Sequence, residues 1–265
     1  MTARIMKNAR KIVIKFGSST LADSSGRIDE FLLASFAAAI AALKQSGKEI
    51  VVVSSGAQAA GLSTMHKWER KRDIHYRQAL CAVGQVKLMQ AWQSSFAAHG
   101  VNVAQILLTR DDFSDPIRSL NMRNTLFTLV DEGIIPIINE NDTVSVEEIK
   151  IGDNDSLAAQ SAMLWNANLL VLFSDIDGLY DKNPHLFPDA RFIGEVKDIA
   201  EVSKTIDTSG KSGFGTGGIV TKLDAASFAA DYGIPTIITK GCPSAFADLL
   251  SGAQRGTVFF DKTCV

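Results

Sequence analysis

The sequence predicts an α/β protein, a three-layer αβα sandwich with a mainly parallel open sheet. Short runs of β-branched residues alternate with segments of helical periodicity along almost the whole chain, which is the pattern of parallel strands joined by crossover helices. Most of the strand runs are apolar on both faces, as expected when helices cover both sides of a sheet. The chain has 265 residues, enough to bury a full core, and we predict a single domain.

Seven apolar runs are predicted to be strands because they are short, rich in valine and isoleucine, and bounded by polar residues or glycine. They are Lys11 to Phe16, Glu49 to Val53, Val101 to Leu107, Ile134 to Ile138, Leu169 to Phe173, Pro235 to Thr239 and Thr257 to Phe260. Helical periodicity occupies most of the segments between them. The predicted helices are Asp29 to Gln45, Tyr76 to His99, Asn121 to Glu132, Ser156 to Trp165, Thr221 to Tyr232 and Ser244 to Leu250.

One further segment alternates like a small hairpin, Val144 to Lys150, and it could fold over a ligand. No proline-rich or serine-rich linker and no internal repeat is visible in the chain. Any boundary therefore separates two lobes of one fold, and we place it near Asn166.

Composition and charge exclude several classes of protein. The net charge of -2 gives no attraction to nucleic acid or to an anionic membrane. The three cysteines are widely spaced without a CxxC pair, and the four histidines lack metal-ligand spacing. No signal peptide is visible, and the longest apolar stretch, Phe31 to Leu43, falls short of the ~20 residues that span a bilayer. We expect a soluble protein of the reducing cytoplasm.

A basic segment with aromatic residues, His66 to Arg77, superficially suggests a nucleic-acid patch. Glu69 and Asp73 interrupt its basic residues, and the overall charge gives it no support. We predict a solvated loop that leads into a helix.

Two acidic and amide runs lie where a strand ends or a helix begins. The first is Asn139-Glu140-Asn141-Asp142, and the second is Gly152-Asp153-Asn154-Asp155. In open α/β sheets, ligands bind where the carboxyl ends of strands and the amino ends of helices converge. Turns with helix caps would explain Asp155 but leave the other carboxylates without a role. The two runs therefore favour a binding site.

The densest glycine segment extends from Ser209 to Lys222. A Walker A loop would need a glycine where Thr205 stands, and the GxGxxG that begins at Gly213 follows no predicted strand. Closely spaced glycines still let backbone N–H groups approach phosphate, and the helix predicted from Thr221 points its positive end the same way. Lys222 lies in that first turn. The helix macrodipole disfavours a cation there, but a bound phosphate would favour the lysine. A flexible solvent-facing loop is the alternative.

Three predicted strands end in residues suited to anions or nucleotides. Lys15 interrupts an apolar strand, which is costly unless it is paired, and a tight turn through Gly17 follows it. The strand before Ser55 runs into a similar turn of small residues. A third strand ends at Ser174 and Asp175, which could hold a nucleotide or orient the glycine loop.

Two lysines, a glycine-rich segment and a cluster of carboxylates with no evident general base favour phosphoryl transfer, which depends mainly on positioning and charge neutralisation. A carboxylate acceptor needs no base because it is ionised at neutral pH. An acidic pocket suits an acceptor that also carries an ammonium group. A free amino acid meets both requirements.

The motifs resemble the amino acid kinase family. They are Val13-Ile14-Lys15-Phe16-Gly17-Ser18-Ser19, Val53-Ser54-Ser55-Gly56-Ala57, Ala82-Val83-Gly84-Gln85, Leu107-Leu108-Thr109-Arg110, Asn139-Glu140-Asn141-Asp142, Gly152-Asp153-Asn154-Asp155, Asp177-Gly178-Leu179-Tyr180 and Gly215-Thr216-Gly217-Gly218. The resemblance covers nearly the whole chain. Within the family it is strongest to the branch that acts on L-glutamate.

The resemblance implies the amino acid kinase fold, ATP and Mg²⁺ as cofactors, and transfer of the γ-phosphoryl group to the side-chain carboxylate of L-glutamate, the first step of proline biosynthesis. Residues 1–165 would form the amino-acid-binding lobe and residues 166–265 the nucleotide-binding lobe. The implied catalytic residues are Lys15, Lys222, Asp155 and Gly17. The implied glutamate site is Ser55, Asp142, Asn154, Asn139 and Asp153. The implied ATP site is Lys15, Ser174, Asp175, Thr216, Gly217, Gly218, Ile219, Val220, Thr221 and Lys222.

The resemblance also implies a homodimer or homotetramer, often inhibited by proline, with glutamate-5-semialdehyde dehydrogenase as a candidate partner. Many members continue into a C-terminal PUA domain, and this chain is expected to be a short form without RNA binding. A sister kinase for N-acetylglutamate or aspartate is the nearest alternative. A non-catalytic nucleotide-binding sensor or storage protein is the alternative from another class.

Overall fold

The computed structural model describes residues 1–23, 25–65, 70, 73–145, 154–184, 186–205, 218–253 and 256–260. Its strands are β1 Lys11–Phe16, β2 Glu49–Ser54, β3 Val103–Leu108, β4 Ile135–Glu140, β5 Leu169–Ser174, β6 Leu179–Tyr180, β7 Phe192–Ile193, β8 Glu195–Val196, β9 Thr236–Lys240 and β10 Thr257–Phe259. Its helices are α1 Thr2–Asn8, α2 Ser18–Leu21, α3 Glu30–Gln45, α4 Ala57–Leu62, α5 Ile74–Ala97, α6 Arg110–Ser114, α7 Pro116–Asp131, α8 Asp155–Trp165, α9 Ile199–Thr205, α10 Ile219–Asp231 and α11 Ala245–Ser251.

Eight strands form one sheet in the order β3-β4-β2-β1-β5-β9-β10-β8. The first six strands in this order, β3, β4, β2, β1, β5 and β9, are parallel to one another. Strand β10 is antiparallel to β9, and β8 is parallel to β10. The prediction of a mainly parallel open sheet is confirmed. The carboxyl ends of six neighbouring strands consequently meet at one edge, where ligands of such sheets bind.

Helices cover both faces of this sheet, and the two hydrophobic cores follow the alternation of the strands. Ile12, Ile14 and Phe16 of β1 pack with α1, α3, α5 and α11 on one face. Val13 of β1 packs with α7, α8 and α10 on the other face. Because successive strand residues point to opposite faces, Lys15 lies on the face of Val13, toward α8 and α10. The three-layer αβα architecture is confirmed.

All seven predicted strands and all six predicted helices are present in the structure. Most of their ends differ from the prediction by one or two residues, and α7 begins five residues earlier, at Pro116. Asp115 explains that earlier start, because its side chain accepts hydrogen bonds from Ile117 N and Arg118 N, as an N-cap residue does.

In the part of the chain that the structure describes, the sequence analysis missed three strands of two residues and five helices of four to seven residues. Such short elements contain too little periodicity to be recognised. Residues 146–150 of the predicted hairpin, and 66–69 and 71–72 of the predicted basic loop, lie outside the described residues. Among the helices in the described part of the chain, none has the length and apolarity needed to cross a membrane.

Two glycines allow α4 and α5 to cross in close contact. A Cβ atom on Gly84 would lie 1.7 Å from the carbonyl oxygen of Ala57, and one on Gly61 would lie 2.2 Å from the carbonyl oxygen of Leu80. Both clashes are with backbone, which cannot rotate away. Helix α4 directly follows the turn at Ser55, so this crossing fixes α5 relative to the carboxyl end of β2.

Gly84→Ala is expected to destabilise the protein by more than the ~1–3 kcal/mol that is typical of an inserted core methyl group, because α4 and α5 must separate. Gly194→Ala is the matched control, since its Cβ would lie 3.4 Å from the ring of Phe192, and we expect a change within about 0.5 kcal/mol. Urea unfolding of both variants measures the difference. Equal stability of the two variants would contradict the close crossing.

Candidate active site

Lys15 lies near the carboxyl end of β1, in the centre of the sheet, between Val53 of β2 and Leu172 of β5. Only 4% of the residue is exposed. A buried ammonium group is costly unless it is paired, and the structure pairs it. Its Nζ atom lies 2.6 Å from Oδ1 of Asp155.

Lys222 is distant from Lys15 in the sequence but contacts the same carboxylate. It lies in the first helical turn of α10, is 6% exposed, and its Nζ atom lies 2.9 Å from Oδ2 of Asp155. Thr221 Oγ1 donates to the same oxygen at 3.2 Å. Two lysines that the family resemblance implies to be catalytic therefore contact the same carboxylate.

Asp155 holds this arrangement from the first residue of α8, and it is fully buried. A carboxylate is favoured there by the helix macrodipole. It faces two ammonium groups, so the side chains of Lys15, Lys222 and Asp155 together carry one net positive charge. In a low-dielectric environment such an excess attracts an anion strongly. The alternative that Asp155 serves only as part of a helix cap does not account for these two ion pairs.

Gly17 forms the turn between β1 and α2, beside the Lys15 ammonium group. A Cβ atom at Gly17 would lie 3.8 Å from Lys15 Nζ. The missing side chain leaves the backbone of this turn open to a ligand that also contacts Lys15.

A chain of hydrogen-bonded amides lies next to the lysines and begins at Ser55, just after β2. Asn154 Nδ2 donates to Ser55 Oγ at 2.9 Å and to Asn139 Oδ1 at 2.7 Å. Asn139 Nδ2 donates in turn to Gln85 Oε1 at 2.9 Å. We refer to Ser55, Asn154, Asn139 and Gln85 as the amide chain. All four residues are buried.

Asn154 occupies the N-cap position of α8, yet its side chain makes no capping hydrogen bond. Asparagine is among the preferred N-cap residues because its side chain normally accepts from the first turn. Here the side chain turns to Ser55 and Asn139 instead. The Asn154 side chain therefore joins the ends of β2 and β4 to the start of α8 instead of capping the helix.

Asp142 follows β4 and is 7% exposed. Burial raises the pKa of its carboxyl group to about 6, although a hydrogen bond from the Cys81 thiol and the charge of Arg77 both oppose the shift. Gln78 Nε2 donates to the backbone oxygen of Asp142 at 3.0 Å and ties this loop to α5. The carboxylate is thus held in place and is available to an ammonium group above about pH 6.

The remaining predicted residues lie at the ends of β5 and α10. Ser174 is the last residue of β5, and its Oγ donates to Oδ1 of Asp175 at 3.1 Å. Gly218 is the N-cap residue of α10, and Ile219 and Val220 begin its first turn. Asp153, Thr216 and Gly217 lie outside the described residues.

Sequence reasoning missed the roles of three residues of α5, namely Gln78, Cys81 and Gln85. Residues Cys81, Gln85, Leu88 and Trp92 have helical spacing and are all buried. An amide in an otherwise apolar helical stripe is the signal that could have identified Gln85, because a buried polar side chain needs a partner.

Comparison with known proteins agrees with this geometry. The sequence model described as the amino acid kinase family matches residues 10–240. A glutamate 5-kinase from Alkaliphilus metalliredigens is 54% identical over 260 residues, which cover 98% of each chain. A glutamate 5-kinase from Geobacter metallireducens is 45% identical over 98% of this chain and 70% of the relative.

Solved structures with low sequence identity share the fold. A carbamate kinase from Giardia lamblia bound to AMP-PNP has a TM-score of 0.68 at 15% identity and covers 98% of this chain and 99% of its own. A UMP kinase from Ureaplasma parvum has a TM-score of 0.65 at 16% identity and covers 95% of this chain and 98% of its own. The match to the family's sequence model over residues 10–240, together with the relatives of 54% and 45% identity, shows that the chain belongs to the amino acid kinase family.

Proposed function

We propose that this protein transfers the γ-phosphoryl group of ATP to the side-chain carboxylate of L-glutamate and forms L-glutamyl 5-phosphate, the first step of proline biosynthesis. The observation that carries the proposal is the pairing of Lys15 and Lys222 with Asp155, next in the chain to the buried Asn154 of the amide chain. The relatives of 54% and 45% identity, both glutamate 5-kinases, supply the choice of acceptor.

Phosphoryl transfer depends on neutralising the charge that spreads over the equatorial oxygens of the moving group. Lys15 and Lys222 would supply two positive charges, and Asp155 would keep them at a fixed separation. The N–H of Gly17 would donate to the same group. Such preorganised donors act strongly in a buried site because they need no rearrangement during the reaction.

The acceptor needs no general base. The side-chain carboxylate of glutamate is ionised at neutral pH, so one of its oxygens attacks the γ-phosphorus directly. The bond from this phosphorus to the bridging oxygen breaks, and ADP leaves with that electron pair. Ser55, Asn154 and Asp142 would hold the amino acid in line, with Asn139 and Asp153 close by.

The nucleotide would lie at the end of β5 and the start of α10, on Ser174, Asp175 and residues 216–222, with Lys15 at its phosphates. Mg²⁺ usually keeps several waters and binds through substrate phosphates with one or two carboxylates. Both oxygens of Asp155 are engaged by lysines, so the phosphate oxygens of ATP would hold the ion, which would neutralise part of their charge.

We also propose residues 1–165 as the amino-acid lobe, residues 166–265 as the nucleotide lobe, a cytoplasmic location and a homodimer or homotetramer.

The purified protein should form a hydroxamate when it is incubated with ATP, Mg²⁺, hydroxylamine and L-glutamate, because hydroxylamine traps an acyl phosphate. The buried Asp142 carboxylate selects for a free ammonium group, so N-acetylglutamate should give much less product. Aspartate serves as the length control. Product from N-acetylglutamate and none from glutamate would refute the proposed acceptor.

Lys222→Ala should lower kcat by roughly 10²- to 10³-fold, the scale for loss of one preorganised charge-stabilising donor. The same substitution at Lys7, an exposed residue of α1, is the control and should leave kcat unchanged. Steady-state kinetics at saturating ATP and glutamate measure both. Near-normal turnover of Lys222→Ala would exclude this lysine from the mechanism.

The kcat/KM for glutamate should fall as the pH drops through about 6, because Asp142 then becomes protonated and loses its charge. The side-chain carboxyl group of glutamate titrates lower, near 4.3, so the two steps are separable. Asp142→Asn should raise the KM for glutamate at pH 8 and abolish the inflexion near pH 6. An inflexion that persists in Asp142→Asn would assign it to another group.

A further inference from the structure

The amide group of Asn154 is only partly used by the protein. Both hydrogens of Nδ2 are donated, one to Ser55 Oγ and one to Asn139 Oδ1. Its Oδ1 atom is buried, and no donor from the described residues contacts it. A buried oxygen without a donor is costly, so this position is suited to a ligand that brings an N–H group.

L-glutamate has a single group that meets this requirement. At neutral pH its two carboxylates only accept hydrogen bonds, and its α-ammonium group only donates them. An acceptor at Asn154 Oδ1 together with the Asp142 carboxylate would therefore bind the ammonium group. The opposite orientation of the Asn154 amide would present Nδ2, which would suit a carboxylate instead.

The direction of the amide chain decides which end of Asn154 faces the ligand. Asn139 presents Oδ1 to Asn154 because its Nδ2 is engaged by Gln85 Oε1. Gln85 presents Oε1 to Asn139, and its Nε2 donates to Gln105 Oε1 at 3.3 Å. The orientations of Gln85, Asn139 and Asn154 are thus coupled, because each amide presents the atom that complements its neighbour.

We infer that Gln85 is a positioning residue for substrate recognition, which fixes the Asn139 amide and thereby turns Asn154 Oδ1 toward the α-ammonium group of the acceptor. The inference rests on the proposed function. Gln85 is held in α5 at 8% exposure, next to Gly84 at the crossing with α4. It selects the acceptor through two intervening amides.

Gln85→Met tests this inference because methionine has a similar length and no amide. We expect the KM for glutamate to rise roughly tenfold, the lower end for a lost hydrogen bond to a charged group, with the KM for ATP and kcat within about threefold. Gln85→Glu should restore the KM to within about threefold of the parent, because a carboxylate also accepts from Asn139 Nδ2. The inhibition constant of glutarate, which lacks the ammonium group, should not change in Gln85→Met.

Gln90→Met is the matched control on the exposed face of α5 and should behave as the parent. Gln85→Leu replaces Gln85→Met if the latter does not fold, as judged by thermal unfolding. An unchanged KM for glutamate in a folded apolar variant would overturn the inference, and so would parallel weakening of glutamate, glutarate and ATP. A parent protein that forms no hydroxamate from glutamate would instead refute the proposed function.

Discussion

The buried contact of one carboxylate with two ammonium groups is the interaction on which the rest of the site depends. Asp155 is fully buried, and Lys15 and Lys222 are nearly so. Removal of Asp155 would be strongly destabilising, since it would leave two buried ammonium groups without a counter-charge. The cluster therefore joins β1, α8 and α10 at the same time as it concentrates positive charge at the carboxyl edge of the sheet.

The alternation of the strands explains why this cluster can form. Lys15 is on the same face of β1 as Val13, and that face packs against α8 and α10. The adjacent residues Ile14 and Phe16 pack into the other core. A shift of β1 by one residue would turn the lysine into an apolar core, away from Asp155. The register between β1, β2 and β5 thus positions the charge as well as the backbone.

The sequence was sufficient to predict the sheet and its main helices, because apolar periodicity is a local signal. The joint role of Lys15 and Lys222 was implied by the resemblance to the family and not by periodicity. Which side chains contact one another in the site was harder to predict from the sequence. That Gln85 would hydrogen-bond to Asn139 depends on how α5 packs on the sheet, over 54 residues of separation. The raised pKa of Asp142 likewise depends on burial, which no local motif encodes. The short helices were missed because a single turn has no measurable period.

The crossing at Gly61 and Gly84 limits how the proposed acceptor site could be redesigned. Helix α4 continues from Ser55 and α5 carries Gln85, and the two backbones already lie closer than any side chain would permit. Neither glycine can be replaced by a larger residue unless the two helices move apart. The loop after β4, where Asp142 lies, takes no part in this crossing and is the better place to alter the size of the proposed acceptor.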